Sequence, residues 1–183
     1  LLAQLRPGEL VLLAARPRQG KTLLALQIAI ASAGAGQSAH FFSLDYTPAD
    51  VQTKLETIGA DPRRLPGRFN VDCSDDISAE HVVHVLADAP RGSLAVIDYL
   101  QLLDQKRSTP PLQDQVAELA RFANARGVII VFICQIDRSF DGQSLPSPGP
   151  ADIRLPNPLD LSVFSRAWFL HRGMLRSHDN LAT

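Results

Sequence analysis

Net charge, cysteine and long apolar runs are all scarce in this sequence, and each shortage closes off a class of function. Its 18 Lys and Arg face 19 Asp and Glu, a formal net charge of -1. Bulk charge therefore does not draw the chain onto nucleic acid, and any such contact must come from locally placed arginines. The two cysteines, Cys73 and Cys134, have no metal-ligand spacing, and Cys134 sits in an apolar run. They read as free thiols in a reducing compartment, so a cytoplasmic location is the expectation. No stretch approaches the roughly 18 apolar residues of a membrane span, and no secretory signal precedes the domain. Internal repeats and heptads are likewise missing. The chain opens on Leu1 and its only methionine is Met174, as a piece of a longer protein would.

What is present suits one α/β domain covering residues 1–183, with 45% hydrophobic and 20% charged residues. Short apolar runs alternate with amphipathic stretches. Leu10–Ala14, His40–Leu44, Phe69–Val71, Leu94–Asp98, Val128–Cys134 and, last, Ala167–Leu170 read as strands. Between them, Thr22–Gly34, a stretch capped by Thr47 with Pro48 at its first position, Ser78–Ala89 and Pro111–Gly127 read as helices. Strands apolar on both faces and alternating with helices predict a mostly parallel sheet covered on both sides. Residues 140–158, rich in proline, break the pattern and read as one long loop, nucleic-acid-facing or mobile.

In such sheets ligands gather at the carboxyl ends of the strands. The first strand runs into Arg16-Pro17-Arg18-Gln19-Gly20-Lys21-Thr22. A phosphate-binding loop needs converging backbone N–H groups, a lysine for the β and γ oxygens and a hydroxyl for Mg²⁺; Gly20, Lys21 and Thr22 supply them. The usual pattern has glycine where Ala15 stands, a loss only if that position needs positive φ or no Cβ. Asp98 ends a strand as a Mg²⁺-holding acid does, although alone it could be a turn residue. Asp45 could polarise water or cap the following helix. Gln135 could read a γ-phosphate or be a satisfied strand-end amide. His81 and His84 lie three apart on one helix without a third ligand, and read as solvent-facing. Lys106 and Arg107 read as a solvated turn, with a nucleic-acid or subunit contact as the alternative.

Together, "LLAARPRQGKT", "FFSLDYTPADV", "LAVIDYLQLL", "FICQIDRSF" and "ADIRL" resemble the motor domain of bacterial replicative DNA helicases, the DnaB-type branch of RecA-like P-loop ATPases. The resemblance runs from Gly8 to about Arg172. It implies a RecA-like fold in which the Gln135 strand lies between the phosphate-loop and Asp98 strands. It implies ATP and Mg²⁺ as ligands, held by residues 16–22 and by Thr22 with Asp98. It makes Asp45 the catalytic base, Lys21 a phosphate-binding catalytic residue and Gln135 the γ-phosphate sensor. Arg138 and Arg154 become candidates for single-stranded DNA, in a homo-oligomer that is a hexameric ring by resemblance. Such domains couple ATP hydrolysis to movement on, or unwinding of, DNA. Ala15 belongs to the family's own version of the loop.

The departures are specific. The family usually has glutamate where Asp45 stands and arginine where Lys54 stands, so reach and a bidentate phosphate fork are both reduced. The 140–158 loop is poor in Lys and Arg. After residue 172 the family continues into a strand bearing a trans-acting arginine finger, for which Arg166, Arg172 and Arg176 are substitutes by proximity only. The family's N-terminal domain and linker helix are not among these residues. Two readings follow: an ATPase motor, or a nucleotide-responsive regulatory or binding module with weak or no turnover. A small-molecule P-loop kinase is weaker, because no segment resembles an arginine-rich lid.

Overall fold

The computed structural model describes residues 1–65, 67–103, 109–140, 147–155, 157–179 and 181. Lys106, Arg107 and, within the 140–158 stretch, residues 141–146 and 156 lie outside the described residues. Chain order is β1 (Leu10–Ala15), α1 (Lys21–Gly34), β2 (Ala39–Ser43), α2 (Pro48–Thr57), β3 (Phe69–Asp72), α3 (Ala79–Val85), β4 (Leu94–Asp98), α4 (Leu112–Arg126), β5 (Ile129–Gln135), β6 (Arg166–His171) and β7 (Met174–Asp179). They build one seven-stranded sheet in the order β3-β2-β4-β5-β1-β6-β7. Every strand pairing is parallel except β6 with β7. The Gln135 strand does lie between the phosphate-loop strand and the Asp98 strand.

The central strands are buried on both faces, which is why their sequences are unbroken apolar runs rather than alternating ones. Leu12 and Ala14 of β1 join one core with α3 and α4, where Val82, Val116 and Leu119 are fully buried. Val11 and Leu13 point the other way, into a core with Ala25, Leu26 and Ala29 of α1 and with Val51 and Leu55 of α2. Burying each Leu or Val contributes about 1.5–3 kcal/mol, so a one-residue slip of β1 would exchange both sets and gain nothing.

Local chemistry sets the helix ends. Thr47 and Asp50 form a reciprocal capping box on α2, with Pro48 in the first turn. Gly127 closes α4 at φ 69, a left-handed value that glycine adopts without Cβ strain. Gln115 of α4 is fully buried yet satisfied: its Oε1 accepts from the Ala79 N–H and its Nε2 donates to the Leu103 and Pro110 carbonyls. It pins the start of α3 to the segment entering α4.

Two expectations need correction. Ala167–Leu170 is not the last strand: β7 follows, joined to β6 by a two-residue turn at Arg172 (φ 49) and Gly173 (φ 74). Positive φ at both turn positions matches the twist of a tight hairpin. The strand escaped notice because "MLRSHD" is almost wholly exposed and has no apolar run. His81 is not solvent-facing either. Its Nε2 lies 2.7 Å from Asp72 Oδ2, and it packs edge-on to Phe42.

Candidate functional site

Because six strands run parallel, β1, β2, β4 and β5 deliver their carboxyl ends to the same side of the sheet, where residues 16–22, Asp45, Asp98 and Gln135 follow. Between β1 and α1 the backbone turns through left-handed values at Arg18 (φ 64) and Gly20 (φ 88). Ala15 is not one of these positions. It is the last residue of β1, fully buried, paired with Gln135 on one side and Leu170 on the other. Neither positive φ nor a missing Cβ is required there, so alanine costs nothing. Gly20 occupies the N-cap of α1, and no side chain caps that helix. Its first-turn N–H groups and the helix dipole therefore face the loop, an arrangement suited to an anion.

The hydroxyl of Thr22, in the first turn of α1, donates to Asp98 Oδ2 at 3.0 Å. Asp98 is 1% exposed. Burial pushes its carboxyl up to about 6 and the nearby Asp45 charge adds to this, while the Thr22 bond and the Lys21 and Lys54 charges pull the other way. A carboxylate desolvated this far, with one neutral donor for company, is a group that a cation would complete. The donor set is a buried acid and a hydroxyl; such hard oxygens fit Mg²⁺.

Asp45 is exposed just beyond β2. It does not cap α2, because Thr47 does. Its backbone N–H and that of Tyr46 both donate to Ser43 Oγ, at 3.3 and 3.0 Å, which shapes the turn out of the strand. Lys54 Nζ sits 4.1 Å from the centroid of the half-buried Tyr46 ring, a cation–π contact of the kind that contributes about 0.5–1 kcal/mol even at exposed sites. Burial raises the Tyr46 phenol, Thr22 lowers it, and Asp98 and Asp45 raise it further. Tyr46 therefore stands at the rim of the Thr22–Asp98 pair, with the Lys54 ammonium resting on it.

Gln135 is half-buried at the end of β5, two residues past the pairing of Ile133 with Asp98. Its carbonyl accepts the Arg154 N–H at 2.8 Å. Ile136 and Ile153 form an antiparallel bridge, and the Asp137 N–H donates to the Asp152 carbonyl at 2.8 Å. The departing and returning ends of the 140–153 segment are thus laced together. Arg138 and Arg154 are both exposed on this same side of the sheet. The Arg172 N–H donates to Gln19 Oε1 at 2.9 Å, tying the phosphate-type loop to the β6–β7 turn.

Other features stand apart. A cleft of about 410 Å³ opens between β2, β3 and Val85, and neither residues 16–22 nor Asp45, Asp98 or Gln135 line it. It collects His40, Asp72 and Cys73, but among the described residues no group of three or more His, Cys, Asp or Glu is placed to hold a metal. Cys73 and Cys134 are free, and burial pushes the Cys134 thiol up to about 12. Among the described residues no helix is long and apolar enough to cross a membrane.

Residues 1–60 match the family model described as DnaB-like helicase C terminal domain. The replicative DNA helicase DnaB of Helicobacter pylori (strain J99) is 25% identical over 207 residues, covering 94% of this chain and 42% of that protein. The chain therefore spans about two-fifths of the length of the curated relatives it matches. A DnaB-like replicative helicase solved for its interactions with primase superposes with a TM-score of 0.73 at 20% identity, over 91% of this chain and 48% of that one. A second solved structure, an ATPase domain, gives 0.71 at 19% identity, over 92% and 71%. The fold is RecA-like. The chain is related to the ATPase domains of replicative DNA helicases.

Within this helicase-type fold, two neighbours of the site carried no sequence signal of their own. Tyr46 follows Asp45 as an ordinary aromatic, and only the return of α2 brings Lys54 over it. Gln101, three residues past Asp98, is 7% exposed and reaches across to β5 and to the Arg154 carbonyl.

Proposed function

We propose that residues 1–183 act as one RecA-like motor domain that binds and hydrolyses ATP, in an oligomer and in the cytoplasm, to move on or unwind DNA. The observation that carries this reading is the 3.0 Å bond between Thr22 and Asp98, residues 76 apart in sequence that meet beneath an uncapped, glycine-started helix. In this reading the N–H groups of residues 16–22 cradle the phosphates, Lys21 offsets charge on the β and γ oxygens, and Thr22 and Asp98 hold Mg²⁺. The ion, when bound, supplies neutralisation of phosphate charge. Asp45 orients the attacking water and accepts its proton, and Gln135 reads the γ-phosphate. Arg138 and Arg154 contact the phosphates of single-stranded DNA. Arg166 is engaged with Asp179 at 2.7 Å, whereas Arg172 and Arg176 are exposed near and on β7; in a ring these two are the candidates to contact a neighbouring subunit.

Two features favour the second reading, a nucleotide-responsive regulatory module with weak turnover. The Lys54 ammonium rests on Tyr46, and Asp45 is one methylene shorter than the glutamate usual in the family it resembles. Binding of a fluorescent ATP analogue to wild type and Lys21→Ala, followed by phosphate release with and without single-stranded DNA, separates these. Loss of binding in Lys21→Ala and turnover stimulated by DNA support the motor. Unchanged affinity in Lys21→Ala refutes the phosphate site, and tight binding without turnover refutes the motor.

A further inference from the structure

Gln101 lies in the short helical turn Leu100–Leu102 that follows β4. Its Nε2 donates to Cys134 Sγ at 3.1 Å and to the Arg154 carbonyl at 2.6 Å. Cys134 precedes Gln135 in β5, and the Arg154 N–H donates to the Gln135 carbonyl at 2.8 Å. One amide thus joins three things: the turn leaving Asp98, the strand ending in Gln135, and the returning end of the 140–153 segment. The orientation of that amide is determined, because reversing it would set Oε1 against the Arg154 carbonyl. Its Oε1 is then buried with no hydrogen-bond partner among the described residues. A buried acceptor left open is destabilising, a cost that an apolar side chain of the same volume would avoid.

We propose that Gln101 is a positioning residue that couples the nucleotide site to the Arg138–Arg154 segment, by clamping the Arg154 carbonyl to the backbone following Asp98. This rests on the ATP-binding reading above. A shift of β4 on nucleotide binding is carried to Arg154 through Nε2, whereas β5 reaches Arg154 through its own bond, in which the Gln135 carbonyl accepts the Arg154 N–H. The hydrogen bonds of Gln101 go to Cys134 and Arg154 rather than to the phosphate-type loop or Asp45.

Hydrogen exchange of the full chain, with and without a nonhydrolysable ATP analogue plus Mg²⁺, tests this in wild type, Gln101→Met and Gln101→Leu. Both variants keep the volume and delete the donor. In wild type the analogue should slow exchange in peptides over residues 15–24, 134–140 and 150–155. In the variants the responses at 15–24 and 134–140 and the analogue affinity persist, since Gln135 is itself part of the nucleotide site, and the response at 150–155 is reduced. The Arg154 amide also exchanges about tenfold faster without ligand, the equivalent of one hydrogen bond. Equal responses in wild type and variants overturn the proposal. So does a wild type in which residues 15–24 respond and 150–155 do not; the ATP-binding reading then stands. No response at 15–24 sinks that reading and the coupling with it. Fast exchange throughout β1, β4 and β5 in both variants would give Gln101 a folding role instead, and overturn the proposal too.

Discussion

Asp98 should make the nucleotide-free protein less stable as pH rises through the weakly acidic range. Its carboxyl is raised from the ordinary 3.8 to about 6, chiefly by burial. The folded state therefore holds a proton that the unfolded chain has released between those values, and stability falls as pH rises through that window. Below it both states are protonated and the group contributes nothing. Above about pH 6 the full cost applies, about 2 pKa units or roughly 3 kcal/mol. Asp98→Asn removes the ionisation while its Oδ1 still accepts the Thr22 hydroxyl. The amide it adds carries its own burial cost, but that cost does not vary with pH. The expected signature is thus a change, not a level. Between pH 4 and pH 8 the stability of Asp98→Asn relative to wild type should rise by about 3 kcal/mol, or roughly 6–12 °C in Tm for a domain of this size. Other carboxylates with depressed values, such as Asp50 and Asp137, titrate equally in both proteins and cancel. Chemical denaturation at five or six pH values measures it. A flat difference across pH 4–8 would show that Asp98 is not a strained buried charge, and would remove the physical argument for a cation there. Saturating Mg²⁺ with an ATP analogue should narrow the pH 8 difference, since a cation beside Asp98 removes the cost that Asn avoids.

Three further outcomes are expected. Asp45→Glu should raise turnover, by up to about 100-fold if the missing methylene misplaces the attacking water by about 1 Å, and Asp45→Asn should abolish turnover with nucleotide affinity kept; phosphate-release kinetics decide, and a slower Glu variant refutes the role. Thr47→Ala breaks the capping box in which Thr47 Oγ1 accepts the Asp50 N–H and Asp50 Oδ2 accepts the Thr47 N–H, so it should lower unfolding free energy by about 1 kcal/mol in urea titration. Leu119→Ala opens a hole in the fully buried face of α4 and should cost about 2–5 kcal/mol by the same assay; a cost under about 1 kcal/mol would mean that the α3–α4 core is not close-packed.

Much of the architecture could be read from residues alone, because the features that encode it are local. Strands buried on both faces must be apolar throughout, so β1, β4 and β5 stood out. Thr47-Pro48 and Gly127 marked helix ends because capping depends on a few neighbouring atoms. β7 was missed for the complementary reason: an exposed edge strand has no apolar pattern, and its one local mark is the Arg172-Gly173 turn. His81 was misjudged because its partner, Asp72, comes from a different element. At the site, residues 16–22 announced themselves by spacing, whereas Asp45 and Gln135 each kept a bland alternative. The cap reading of Asp45 competed with Thr47 from the start, and the Thr47–Asp50 capping box removes it.

What the sequence by itself determined, then, is most of the elements and the loop that could cradle phosphate, since both are written in neighbouring residues. Tertiary structure decided which distant groups meet, and it placed Ala15 at the end of β1, where no special φ is needed. The order of strands in a parallel sheet follows from how whole faces pack, and no local pattern encodes it. That order inserted β5 between β4 and β1 and brought Thr22 within 3.0 Å of Asp98. It also laid Lys54 on Tyr46 and placed the Gln101 amide against the Arg154 carbonyl. A hydrogen bond is satisfied only at contact distance, and contact between residues tens of positions apart exists only once the sheet has closed around them.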